Sequence, residues 1–460
     1  MPRNSRLIVV ANRLPLRKVD HAHSVRWERS PGGLVTALEP VLRKLGGAWI
    51  GWDGGVGRAI RPFEAEGISL RPVTMTRAEV EDGYEGFCNR TLWPLYHDAL
   101  RAPVFERDWW ERYEDVNRRF AKITARTVRP SDVVWVHDFH LQLVPGMLRQ
   151  LRPRQRSGFF LHIPFPPEEL FAWLPWRRQI LEGLLGADIV GFQTESDAKN
   201  FSRAARRFTA AEGTDSALMF KGRETLVRTF PISIDTADFE AIANNEAVIR
   251  RAAEVRERLG AERRVLLSVE RLDYTKGIDT RLMAFEHALK RGVLSAKKTV
   301  LILIAVPSRE AISEYAQTRR RIEEMVGRIN GEYSEPGRVA VHYFRRSLPR
   351  DELVAYYLAA DVMLVTPLRD GMNLVCKEFV ACRTDSSGVL VLSEFAGAAR
   401  ELRRALLVNP RDLDGFVGTM KRAITMPRRD AVRRMSILRM QVRRHDVHDW
   451  AGSFLEYLHG

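Results

Sequence analysis

Apolar residues in this chain gather into short runs that are hydrophobic on both faces, and longer segments of helical spacing separate them. In the first half the runs are LIVVAN, VVWVHD, GFFLHIP, DIVGFQT and VRTFPIS; in the second they are RVLLSVE, TVLILIAV, RVAVHYF, DVMLVTP and GVLVLSE. Each stops at a polar, Gly or Pro signal, which is how strands of a parallel sheet read when helices cover both faces. Between them, DTRLMAFEHALKRG and SREAISEYAQTRRRIEEMVGRING keep helical spacing and reach a glycine, which predicts helices ended by a left-handed residue.

A polar stretch rich in Ala, Asn and Glu, DTADFEAIANNEAVIRRAAEVRERLGAERR, parts the two sets of strands and places the boundary near Asp235 to Asn245. The pattern predicts an α/β protein of two Rossmann-like parallel-sheet domains, residues 1–240 and 241–440. A C-terminal helix over 441–460 is expected to pack back on the N-terminal domain. Ligands of such sheets sit at the carboxyl ends of the strands, and two such domains facing each other make a deep cleft.

The length, 460 residues, suits two large domains better than one core. Lys and Arg outnumber Asp and Glu by 73 to 58, a net charge of +15, which fits nucleic acid, phosphorylated small molecules or a merely soluble surface. The basic run MKRAITMPRRDAVRRMSILRMQVRRHDVHDW reads first as a solvated helix face. Three cysteines, Cys88, Cys376 and Cys382, with no CxxC spacing, predict neither a disulfide framework nor a zinc site. The N-terminal apolar run is too short for a signal-peptide core, and VLILIAVP is far short of the roughly 20 residues of a membrane helix. A cytoplasmic protein is expected.

Candidate chemistry collects at predicted strand ends. SVERLDYTKG places Arg271 and Lys276 just past a strand, where a planar fork and a point charge can grip a diphosphate, or simply form a salt-bridged loop. VTPLRDGMNLVCKEFVA repeats the geometry: Asp370 ends a strand, Gly371 turns, and a helix begins near Met372. Its free N–H groups and positive dipole end suit phosphate. Glu378 lies one turn beyond Leu374 on the same face, able to take two ribose hydroxyls or to face water. SPGG brings Gly33 to a helix start, where backbone can approach phosphate, although most glycine pairs are only turns. Asp138 and His162 stand at two further strand tips; such a histidine is structural more often than catalytic. YEGFCNRTLWPLYHD sets Tyr84 and Trp93 in a loop-like segment, where aromatics stack on sugars or fill a core. NPRDLDGF reads as a turn, and no Walker loop, HExxH or compact metal cluster is present in the sequence.

In order along the chain, VVANRLP, SPGGLVTAL, GWDG, TLWPLYHD, VHDFHLQLVP, FFLHIPFP, GFQTESD, SVERLDYTKGI, GRINGEY, VTPLRDGMNLVCKEFVA and GVLVLSEFAGAA resemble the trehalose-6-phosphate synthase family, retaining glucosyltransferases of GT-B fold. The resemblance covers nearly the whole chain. It implies transfer of glucose from a nucleotide sugar, usually UDP-glucose, to glucose 6-phosphate, with neither cofactor nor metal. Carried over, Arg271 and Lys276 bind the donor diphosphate and Glu378 the ribose. Asp370 holds the donor glucose with the backbone of Gly371, Met372, Asn373 and Leu374. Gly33 approaches the diphosphate, and His162 contacts the donor glucose near its anomeric carbon. Arg13, Trp52, Tyr84, Trp93, Asp138 and Arg309 serve the acceptor, the arginines at its phosphate. Neither nucleic acid nor membrane is an implied partner; a homo-oligomer is. A separate phosphatase is expected to follow.

Some positions depart from the family pattern. Cys88 and Arg90 replace small residues close to the acceptor aromatics, and Cys376 stands where alanine is common. A glucosylglycerol-phosphate synthase using glycerol 3-phosphate, a non-catalytic sugar-phosphate-binding relative and a nucleic-acid binder stay as alternatives. The donor base stays open among UDP, GDP and ADP.

Overall fold

The computed structural model describes residues 5–459 except 22–23, 30–34, 36–37, 40, 43–45, 58–59, 66 and 310–311, with no side-chain description over 17–29 or at 313. The chain divides into two compact units, Met1–Ile232 with Val447–Gly460, and Ser233–Asp446.

The first unit carries a ten-stranded sheet and a two-stranded hairpin. Its strands are β1 (Leu7–Arg13), the hairpin β2 (Leu16–His21) and β3 (Ser24–Arg29), β4 (Gly47–Val56), β5 (Phe63–Ala65), β6 (Ile68–Met75), β7 (Val133–His137), β8 (Arg156–Phe160), β9 (Ile189–Phe192), β10 (Glu212–Gly213), β11 (Ala217–Phe220) and β12 (Arg223–Thr229). The sheet order is β10-β11-β12-β9-β8-β7-β1-β4-β6-β5. Pairing is parallel from β12 to β6 and antiparallel at both edges. From β1 the chain builds outward through β4 and β6, then returns to β7 on the other side, so the strand order reverses between β1 and β7. That reversal is where a doubly wound sheet opens to a ligand.

Two parallel strands escaped the hydrophobic pattern. GAWIGWDGGV, which is β4, is interrupted by glycines and lies outside the expected strands, and β6 contains Arg71 and Pro72. Proline is tolerated there because β5 pairs only Ile68 to Leu70, which leaves Pro72 beyond that antiparallel partner.

Helix Val447–His459 belongs to this unit and buries Trp450 and Phe454. Phe454 stacks on Trp135 of β7 at 4.3 Å. Glycines make room for it: a Cβ at Gly158 or Gly191 would fall 2.7 or 2.9 Å from its ring. Burying such a ring stabilises by about 1.5–3 kcal/mol.

The second unit has six parallel strands, β13 (Arg264–Arg271), β14 (Thr299–Val306), β15 (Val341–Phe344), β16 (Val362–Val365), β17 (Val389–Ser393) and β18 (Leu406–Val408), in the order β15-β14-β13-β16-β17-β18. Here the reversal falls between β13 and β16. The residues marking the expected boundary are helix caps: Asp235 accepts from Asp238 N–H, and Asn245 from Ala247 N–H. Helix Thr236–Ala243 lies wholly in the second unit. Glu240 on it receives Arg439 at 2.8 Å and Arg443 at 2.7 Å, both from helix Arg428–Arg444. Part of the basic run is therefore structural rather than a solvated face.

Candidate functional site

In the second unit β13 ends at Arg271, which is exposed. Asp273 then caps a turn: its Oδ1 accepts from the Thr275 N–H at 3.0 Å and the Thr275 hydroxyl at 2.9 Å. Its Oδ2 receives Arg309 Nη1 at 2.9 Å and the Tyr315 hydroxyl at 3.3 Å. The Asp273 side chain is 0% exposed and that of Arg309 8%, so this is a buried ion pair. Burial pushes the Asp273 carboxyl up, but Arg309, then Arg271 and Lys276, hold it below its ordinary value.

The turn carries Lys276, whose Nζ donates to Asp370 Oδ2 at 2.6 Å. Gly277 follows at φ +63°, and a Cβ there would sit 2.8 Å from Thr366 O, so the approach of the two loops requires glycine. Leu368 N–H donates to Thr275 O at 2.8 Å, which closes the pair. The far side of the Asp370 loop is fixed by Asp370 N–H to Phe395 O at 3.2 Å and Ala398 N–H to Met372 O at 2.9 Å. The helix expected near Met372 runs Leu374–Cys382, capped by Asn373, whose Nδ2 also donates to Asp370 Oδ2 at 3.0 Å. Glu378, one turn along, accepts from the Tyr357 hydroxyl at 2.8 Å. Burial raises its pKa against the opposing hydrogen bond from Tyr357 and the charge of Arg350. Lys276 thus meets Asp370, and Arg309 and Arg271 gather around Asp273, past the ends of β13, β14 and β16, where the strand order reverses, while Glu378 pairs with Tyr357 farther along the helix.

In the first unit Arg13 ends β1 and is exposed. Its guanidinium lies 3.8 Å from the Trp52 ring centre and 5.5 Å from that of Tyr84. Trp52 meets Tyr84 edge-on at 5.6 Å, and Tyr84 stacks on His140 at 5.7 Å. Trp52 is held by its Nε1–H donating to Gly55 O at 2.6 Å. Gly54 has φ +94°, and a Cβ there would collide with Arg13 Nη1. The segment bearing Tyr84, expected as loop-like, is instead a π-helix over Glu79–Leu92, seen at its end in Trp93 N–H bonding Cys88 O. Such wide turns are rare and recur at functional sites. Gly86 on it faces the Trp109 ring, where a Cβ would come to 2.6 Å.

Trp93 is 3% exposed, with its ring 4.2 Å from that of His97 and 5.7 Å from that of Phe139, a core position rather than an open wall. Arg90 lies over Trp109 at 5.2 Å. Cys88 and Cys376 are buried free thiols, and burial pushes Cys376 up. Gly33 lies outside the described residues.

Asp138 follows β7 with φ 73° and ψ 166°, a conformation close to glycine-only. Its Oδ1 accepts His162 N–H at 3.2 Å, and its Oδ2 is 3.8 Å from His140 Nδ1. His162 Nε2 is 3.1 Å from His137 Nδ1. Burial lowers the His162 pKa to about 3, so its ring is neutral. Among the described residues, the positive-φ non-glycines include Asp138, Arg309 and Asn373. The others are Asp98, Ala99, Lys221 and Ser386, so strain is found at three expected site residues and is not confined to them.

Sequence reasoning missed Asp273, Tyr357, His137 and His140. Asp273 left a signal, an acid placed between two cations in RLDYTKG. Tyr357 left none, because a buried helix tyrosine looks like core. Among the described residues, no helix is long and apolar enough to cross a membrane.

Residues 5–460 match the model of glycosyltransferase family 20. The chain is 52% identical to a trehalose-6-phosphate synthase of Mycobacterium avium, over 99% of this chain and 95% of that one. A Burkholderia xenovorans α,α-trehalose-phosphate synthase (UDP-forming) in complex with glucose-6-phosphate superposes with a TM-score of 0.92 at 33% identity, covering 99% of this chain and 100% of the other. An E. coli structure bound with UDP-2-fluoro glucose gives 0.91 at 33% identity, covering 99% of both chains. With two parallel-sheet units of GT-B type and a family match over nearly its whole length, the chain belongs to glycosyltransferase family 20.

Proposed function

We propose that this glycosyltransferase is an α,α-trehalose-phosphate synthase, moving glucose from UDP-glucose to glucose 6-phosphate with retention to give trehalose 6-phosphate. The observation that carries the proposal is the second unit's cluster. Arg271 and Lys276 stand beside Asp370 and a helix N-terminus, with Glu378 one turn on. That set suits a diphosphate, a hexose and a ribose. The relatives bound with UDP-2-fluoro glucose and with glucose-6-phosphate support the two substrates.

In this reading Arg271 and Lys276 take the donor diphosphate. Asp370 and the backbone of Gly371, Met372, Asn373 and Leu374 take the glucose, and Glu378 takes the ribose. Gly33 nears the diphosphate and His162 the donor glucose. Arg13, Trp52, Tyr84 and Asp138 serve the acceptor, with Trp93 supporting from behind, and Arg309 meets the acceptor phosphate. Charge builds on the departing diphosphate, and fixed cations and N–H groups stabilise it without reorganising. The departing oxygen takes the acceptor's proton during front-face attack, so no side-chain base is assigned. The unit of Met1–Ile232 with Val447–Gly460 is the acceptor domain and Ser233–Asp446 the nucleotide-sugar domain; the protein works in the cytoplasm as a homo-oligomer.

Product analysis tests the proposal. Purified protein is given UDP-, GDP- or ADP-glucose with glucose 6-phosphate or glycerol 3-phosphate, and products are read by mass spectrometry and proton NMR. An α,α-1,1-linked disaccharide phosphate is expected with UDP-glucose and glucose 6-phosphate. Product with glycerol 3-phosphate alone would replace the acceptor, and no product with any pair would leave a binding relative.

A further inference from the structure

Tyr357 stands on helix Arg350–Ala359 and Glu378 on helix Leu374–Cys382. The Tyr357 hydroxyl donates to Glu378 Oε2 at 2.8 Å. The tyrosine is fully buried, and its ring meets Phe379 edge-on at 6.3 Å. Its carbonyl accepts from Arg383 Nη1 at 3.0 Å, and the same nitrogen reaches Leu358 O at 2.6 Å. Arg383 follows directly on helix Leu374–Cys382, so it ties the ends of the two helices together. Ring and backbone of Tyr357 are both fixed, and its hydroxyl has one direction in which to donate.

Glu378 is held differently. It sits deep among protein atoms yet keeps part of its surface open. Among the described residues Tyr357 is the hydrogen-bond partner of its carboxylate, and the second oxygen is not sealed from solvent. The phenol keeps its proton in this pair. A tyrosine is a weaker acid than a glutamic acid by several orders of magnitude, and burial, with Glu378 beside it, pushes the Tyr357 hydroxyl further up. An ionised carboxylate only accepts, at about four lone-pair sites. Tyr357 takes one, which leaves room for two hydroxyls. A glutamate on a helix otherwise swings through several rotamers and loses that freedom on binding. The Tyr357 contact removes the loss beforehand.

We propose that Tyr357 is a positioning residue that orients Glu378 in advance, so that the ribose of the nucleotide meets a carboxylate already fixed. The ribose contact rests on the role given to Glu378 above; the link between Tyr357 and Glu378 does not. Ribose recognition then takes two residues: Glu378 touches the sugar, and Tyr357 acts only through Glu378. A nucleotide without ribose hydroxyls draws nothing from either.

The test is titration calorimetry of the full protein with UDP and with 2′,3′-dideoxy-UDP. Wild type is expected to bind UDP more tightly. Tyr357→Phe removes one oxygen and keeps the buried ring. It should weaken UDP by about threefold to tenfold, the scale of one net hydrogen bond, and leave dideoxy-UDP at its wild-type affinity. Dideoxy-UDP thereby serves as the control for folding. Glu378→Ala supplies the second arm. Adding Tyr357→Phe to it should cost no further UDP affinity, because Tyr357 has lost the group it acts through. Unchanged UDP affinity in Tyr357→Phe would overturn the proposal. So would equal weakening of both nucleotides, the mark of a contact that only holds the helices, or a further loss in the Glu378→Ala background. The reading beneath fails in another place: a wild type that binds the two nucleotides alike removes the ribose contact of Glu378, and the proposal with it, before any variant is made.

Discussion

Arg13 and Arg309 are both assigned to phosphate, and the two units hold them in opposite ways. Arg13 is exposed, laid on the face of Trp52 with Tyr84 beside it, and the described residues give it no carboxylate partner. Arg309 is 8% exposed, bonded to Asp273 and Tyr315, and strained at φ 52°. An aromatic platform directs a guanidinium for about 0.5–1 kcal/mol and leaves its charge intact for an anion. A buried carboxylate fixes it more firmly and neutralises it. The same holds for Lys276, already paired with Asp370. The first unit thus presents bare charge, while the second presents charge that a ligand must share with an internal acid. The second unit gains geometry by this and gives up pull, which suits the unit expected to stabilise a charge that appears only as the bond breaks.

Breaking the internal pairing should have the largest effect. Asp273→Asn leaves Arg309 buried without its anion and weakens the cap on the Lys276 turn. It should lower stability by about 3–5 kcal/mol, read by denaturant unfolding. The folded pKa of Asp273 lies below the ordinary 3.8, so its contribution is complete above that value and is lost as pH falls through the folded pKa. The stability gap between wild type and variant should therefore hold steady from about pH 7 to about pH 5 and close only in acid below that. A gap that closes on the alkaline side would contradict a pre-ionised Asp273.

Arg271 is an exposed cation at the end of β13, and its removal tests whether pull or geometry matters more in the second unit. Arg271→Ala should cut kcat by about 10²–10³, the scale of losing one donor to developing charge. A kcat near wild type with UDP-glucose would remove it from leaving-group stabilisation. Arg309→Ala should act more weakly, because Asp273 already shares its charge. About a tenfold rise in acceptor KM, with donor KM nearly constant, is expected for one charged hydrogen bond. An unchanged acceptor KM would mean that Arg309 serves only Asp273.

How far this contrast was legible in sequence follows from which residues create it. Strand tips were readable, since buried parallel strands are apolar on both faces and stop at polar residues, which exposed Arg271 and Asp138 and brought His162 close; Asp370, expected to end a strand, instead lies in the loop five residues beyond β16. Motif resemblance supplied the roles proposed for them. Pairing was not readable, because the Asp273–Arg309 and Lys276–Asp370 contacts join residues far apart in sequence. The π-helix under Tyr84 was also hidden: GYEGFCNR has the glycines of a loop, yet Gly86 is there to let the Trp109 ring approach. In the same way β4 hid behind the glycines that serve Arg13.

Those glycines give the finest test of the aromatic platform. Gly54 has φ +94°, which an L side chain seldom adopts, and its missing Cβ is what allows Arg13 Nη1 to lie beside the backbone. Gly54→Ala keeps Arg13, Trp52 and Tyr84 and alters only where the guanidinium can rest. If Arg13 works because it is held over Trp52, acceptor KM should rise by about threefold to tenfold, matching the 0.5–1 kcal/mol of an exposed cation–aromatic contact or slightly more. Donor KM and kcat should stay close to wild type, since Gly54 is in the first unit and the donor cations are in the second. Arg13→Lys is the matching control. Lysine keeps the charge but loses the flat stacking face and the fork, so the rise in acceptor KM should be at least as large. If Gly54→Ala raises acceptor KM and Arg13→Lys does not, the loop itself touches the acceptor and the platform is incidental. If neither changes it, bare charge near the first sheet is enough, and the contrast between the two arginines is one of packing alone.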